Sequence, residues 1–125
     1  MLANLCVVSE YSTMKSHSEF FDESLKGLRT LLKQAPTCDD IIVQCRNIVS
    51  LYNRLELEEN YRPYFVLIAL DSDTDHLPKG SVRKLWNTEA LNKKDQESKE
   101  IEQFYRKDFL KSCEAILLNL QKSKT

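Results

Sequence analysis

Apolar residues recur every three or four positions along most of this chain, and that spacing constrains the fold more than any other feature. Phe21, Leu25, Leu28 and Leu32 share one face of a helix, with Phe20 and Leu31 widening it. Ile41, Cys45, Ile48, Tyr52 and Leu55 repeat the pattern, broadened by Ile42 and Val49. So do Ile101, Tyr105, Phe109, Cys113, Ile116 and Leu120, with Phe104 and Leu117 beside them. A sheet would need hairpins and bulges, yet the 125 residues hold only two glycines and three prolines. The spacing predicts an all-α fold, a four- to five-helix bundle with a long C-terminal helix, in one domain spanning 1–125.

Local signals place the helices near 17–34, 38–56 and 97–121. Ser16 with Glu19, and Thr37 with Asp40, have the spacing of capping boxes, and Pro36 separates the first two helices. So short a connection predicts an antiparallel hairpin. The apolar run 64–70 suits either a buried strand or a buried helix, and periodicity does not separate them. A lone strand lacks partners, whereas Pro63 fits a first helical turn capped by Asn60, so a short buried helix is expected. Residues 71–80 read as an acidic loop closed by Pro78 and Gly80, followed by a helix from about Ser81 with Val82, Leu85 and Trp86 facing inward. Residues 87–99 suit a solvated helical extension, a loop or a mobile segment. The last helix is expected to hold on the order of 25 residues, ~38 Å long. Residues 1–15 form an apolar N-terminal segment, and 121–125 a basic tail that frays.

Several function classes find no footing. A net charge of −1 gives no global field toward nucleic acid or an anionic membrane. Gly27 and Gly80 stand alone, so neither a dinucleotide fingerprint nor a P-loop can be written. Cys6, Cys38, Cys45 and Cys113 lack CxxC spacing, and His17 and His76 lie apart from them, which disfavours zinc. The cysteines read as small buried residues of a reduced protein, and residues 2–8 are too short and lack the basic flank of a secretory signal. Cytoplasm or nucleus is the expected location, and no apolar run reaches the ~20 residues of a membrane helix. No cofactor or metal is expected.

Asp71, Asp73 and Asp75 alternate as in a calcium loop, but His76 and Val82 stand where that loop needs glycine and a bidentate carboxylate. Residues 65–70 with Asp71 and Asp73 also resemble, over about ten residues, the aspartate-bearing strand end of haloacid-dehalogenase-type phosphatases. The glycine-threonine that follows in that family is missing. Ser16, His17 and Ser18 suit a helix start as capping residues, and His76 has acidic neighbours but no nucleophile. The chain is therefore expected not to be an enzyme.

Two surface features remain. Lys79, Arg83, Lys84, Lys93 and Lys94 against Glu89 give residues 79–94 a net charge of +4, with Trp86 among them. Leu2 and Leu5, with Val7 and Val8, form an apolar segment that either completes the bundle or meets a partner. Carboxylates at Glu56, Glu58, Glu59, Asp71, Asp73 and Asp75 make the charge layout uneven, which suits docking between proteins. Tyr52, Tyr61, Tyr64, Tyr105 and Trp86 belong to residue types enriched at interfaces and in cores alike. The sequence reading is a non-catalytic protein–protein interaction module, a subunit or adaptor of a larger intracellular complex. The alternative is a nucleic-acid-binding helical domain using the basic segment 79–94.

Overall fold

The computed structural model describes residues 17–58 and 60–122, which are helical with no strand among them. Four α-helices follow in the order α1 (His17–Gln34), α2 (Ile41–Arg54), α3 (Arg62–Thr74) and α4 (Thr88–Lys122). Short 3-10 segments occupy Ala35–Thr37 and Gly80–Leu85. Leu2, Leu5, Cys6, Ser16 and the rest of residues 1–16 lie outside the described residues, as do 59 and 123–125.

α2 begins at Ile41, the first residue of its apolar stripe, and not near 38 as the Thr37 capping signal suggests. Pro36 diverts the chain into the 3-10 turn Ala35–Thr37, and the Thr37 hydroxyl donates to the Gln34 carbonyl at 3.3 Å. Asp40, not Thr37, is the N-cap: its Oδ1 accepts the N–H groups of Ile42 and Val43 at 3.0 and 3.2 Å. At the other end α2 stops at Arg54, and Glu56 adopts a left-handed φ of 54°. Gln44 Nε2 donates to the Leu31 carbonyl at 2.8 Å, joining α2 to α1.

The 64–70 run is helical and belongs to a longer element than expected. Pro63 lies in the first turn of α3, where its missing N–H is harmless. The N-cap position falls on Tyr61 rather than Asn60 and makes no side-chain capping bond. Asp71–Thr74, assigned to a loop on sequence, continues this helix. The buried Thr74 hydroxyl donates to the Leu70 carbonyl at 2.6 Å, and Arg46 reaches from α2 to the carbonyls of Thr74 and Leu77. Carbonyls at a helix end need such donors once they leave water.

α4 starts at Thr88 instead of near 97, because Asn87 Oδ1 accepts the Ala90 N–H at 2.7 Å and caps it. Its 35 residues span about 52 Å. The helices close in a ring: α2 packs against α1 and α3, and α4 against α3 and α1. Leu28, Ile41, Ile48, Leu67, Leu70 and Phe109 are fully buried, so α3 contributes to the core on the same footing as the other three helices. Tyr52 and Tyr64 stack with ring centroids 3.8 Å apart inside it. Their hydroxyls donate to the Glu58 carbonyl and to Asn53 Oδ1, so these tyrosines are core residues with satisfied polar tips.

Candidate docking surface at the α3–α4 corner

Residues 75–87 carry the chain from α3 into α4, and most of the basic segment singled out in the sequence lies on this corner. Gly80 opens the Gly80–Leu85 turn with a φ of 69°, a left-handed conformation that side chains oppose. Asp40, beyond capping α2, accepts the Lys79 ammonium at 3.0 Å through its second oxygen. Lys79 also donates to Ser98 Oγ at 3.1 Å, tying α2, the turn and α4 together. Arg83 grips Asp95 with two nitrogens at 2.7 and 2.9 Å, and donates to the Pro78 carbonyl at 3.3 Å. That fork holds the Asp95 carboxyl below the usual carboxylate range. Lys94 lies 3.6 Å from Glu97, whose other oxygen is held by His76.

Three of the five cations are thus engaged with the protein's own carboxylates. Lys84 and Lys93 are exposed and enter no ion pair with a described residue. The apolar residues of the corner behave in the opposite way. Leu85 is 84% exposed and Val82 44%, and Trp86 is half-buried, so the expected inward-facing stripe does not form. A 3-10 segment of six residues has too few turns to close an apolar face over the bundle. The corner is therefore fastened by its polar groups and presents its apolar ones, with the exposed Lys84 next to Leu85 in the turn.

The remaining sequence candidates do not assemble a reacting centre. Asp71 and Asp73 are two positions apart on a helix, which turns their side chains to different faces. Tyr105 donates to Asp73 from α4, and this bond drives the phenol pKa up to about 12. Asp71 is half-buried near Arg46; burial first, and Asp75 to a lesser degree, raises its carboxyl. The strand end that the phosphatase resemblance implies is a helix here. No group of three or more His, Cys, Asp or Glu residues suited to a metal ion occurs among the described residues. Cys45 and Cys113 are buried free thiols; burial pushes Cys113 up to about 12 and Cys45 up as well, which suppresses their thiolates.

Comparison with known protein families, curated proteins and solved structures gives no match to this chain. Among the described residues no helix is long and apolar enough to cross a membrane. Sequence reasoning located the corner through its lysines and arginine, but missed Asp40, Asp95 and Ser98, which engage them. Only Asp95 carried a local hint, as the one carboxylate between Glu89 and Glu97; Asp40 lies far away along the chain.

Proposed function

We propose that this protein is a non-catalytic protein-binding module, acting as a subunit or adaptor inside the cell. Its docking element is the 82–86 turn. The observation that carries this reading is the exposure of Leu85 and Val82 on a turn held in place by the Arg83–Asp95 fork. An apolar side chain in water contributes nothing to folding, whereas a rigid one loses little conformational freedom on binding. The exposed Lys84 within the turn matches a partner segment that is both apolar and acidic. The buried reduced thiols support an intracellular setting. The nucleic-acid reading is weakened because Lys79, Arg83 and Lys94, three of the five cations of the basic segment, are paired with carboxylates of the described residues and so are less available to phosphates.

The test compares proteins retained from a cell extract by the wild-type chain and by Leu85→Ser. One protein bound stoichiometrically by the wild type and lost with Leu85→Ser, at unchanged circular dichroism, is the expected result. Retention that survives Leu85→Ser and Val82→Ser together overturns the assignment of the turn. Salt-sensitive binding to RNA or DNA, lost with Lys84→Glu and Lys93→Glu, would replace it with the nucleic-acid reading.

A further inference from the structure

The outer face of α1 carries a different arrangement of charge from the α3–α4 corner. Lys26, Arg29 and Lys33 follow at three- and four-residue intervals, which stacks them along about 10 Å of helix. With Asp22 and Thr30 they line a groove of about 560 Å³. None of the ion pairs between described residues involves these three cations. Thr30 directs its hydroxyl to the Lys26 carbonyl at 3.0 Å, so the groove's free donors are the cationic groups.

Arg29 is held in an unusual state. Its Nε is enclosed and finds no hydrogen-bond acceptor among the described residues. Buried donors are nearly always paired, and one left without a partner is costly to the fold. A guanidinium already partly removed from water, without a counter-charge among the described residues, has lost part of the hydration that an external anion would otherwise displace.

Lys33 is also a wall of a second groove, of about 470 Å³, between α1 and α4. This one is apolar: Leu32, Pro36, Leu110 and Leu117 line it, together with Cys113, which is 1% exposed. Its size falls in the range of about 300–1,000 Å³ typical of small-molecule sites. A row of unpaired cations and an apolar recess sharing one side chain match a ligand with a compact anionic head and an aliphatic body. The lining carboxylates Asp22 and Glu114 repel a continuous polyanion, which favours a single head group.

We infer that these two grooves form a binding site for a small anionic amphiphile. The carboxylate or phosphate head lies on Arg29, Lys26 and Lys33, and the alkyl body lies against Leu32, Leu110 and Leu117. The site shares no residue with the docking turn, so it stands or falls independently of the proposed function.

Decanoate, decyl phosphate and neutral decanol, titrated separately into the full chain while backbone amide resonances are followed, test it. Both anions are expected to shift residues around Lys26–Lys33 and Leu110–Leu117, with decanol binding at least about tenfold more weakly. Arg29→Gln and, separately, the exposed Lys33→Gln are each expected to weaken decanoate by about tenfold or more at unchanged circular dichroism. Equal binding of decanol, shifts centred elsewhere, or unchanged affinity in both variants overturns the site. Co-sedimentation with anionic phospholipid vesicles in place of free decanoate binding would also overturn it, since the recess is then not what receives the chain.

Discussion

Asp40 does three things with one carboxylate: it caps α2, receives Lys79 and stands beside Glu102. Burial raises its pKa, but the Lys79 ammonium and the N–H groups of Val43 and Ile42 together outweigh burial and hold it below the usual carboxylate range. Glu102 moves the other way, raised by burial first and then by the Asp40 charge. The two therefore act oppositely on stability. Asp40 stabilises the fold above its unfolded pKa of about 3.9, and this is lost as pH falls through its lower folded value. Glu102 stabilises it below an unfolded value of about 4.3, and loses that contribution as pH rises through the folded one. Asp40→Asn keeps a good capping side chain and removes only the charge. Urea midpoints measured against pH should show a flatter acid limb between roughly pH 5 and 3 in Asp40→Asn than in the wild type. Asp40→Ala, losing the cap as well, should cost about 1–2 kcal/mol at neutral pH.

At the scale of the element, α4 is two helices in energetic terms. From Thr88 to Glu97 none of its residues is buried, while Phe109, Ser112, Cys113, Ile116 and Leu120 anchor its second half in the core. The first half is held by the Asn87 cap, the Arg83–Asp95 fork, His76 and Lys94 on Glu97, and Lys79 on Ser98. This division explains what was legible in the sequence. Phe21, Leu28 and Ile48 announced α1 and α2 because burial at a period of 3.6 is written into consecutive residues. Residues 88–97 have no such stripe, and their helicity rests on Asn87 and on partners that lie outside that stretch of sequence. Val82 and Leu85 had helical spacing without a helix long enough to use it. Lys26, Arg29 and Lys33 were invisible as a site, since an outward row of cations is what any solvated helix face shows. Arg83→Gln should speed amide exchange across residues 88–98 several-fold while leaving that of 109–120 unchanged. Equal acceleration in both halves would mean that α4 opens as one unit.

The bundle is closed by α4, because it follows α3 along one side and returns to pack against α1, which completes the ring. Its second half presents Phe109 and Ile116 to Leu28, Leu67 and the other residues of a single continuous core. A loss there cannot stay local: removing a ring from a packed interior leaves a cavity that neighbouring helices fill only in part. Phe109→Ala should therefore cost about 3–5 kcal/mol, a large share of the roughly 5–15 kcal/mol available to a domain of this size. The urea midpoint should fall accordingly, and the slowest-exchanging amides of α1, α2, α3 and the second half of α4 should lose protection together. Leu85→Ser makes the contrasting case, since its side chain meets mostly water and its removal should leave the midpoint within about 0.5 kcal/mol of wild type. If Phe109→Ala instead weakened protection only in α4 and spared the α1–α2 hairpin, the bundle would consist of two cooperative units. The ring of contacts would then describe geometry without describing how the molecule unfolds.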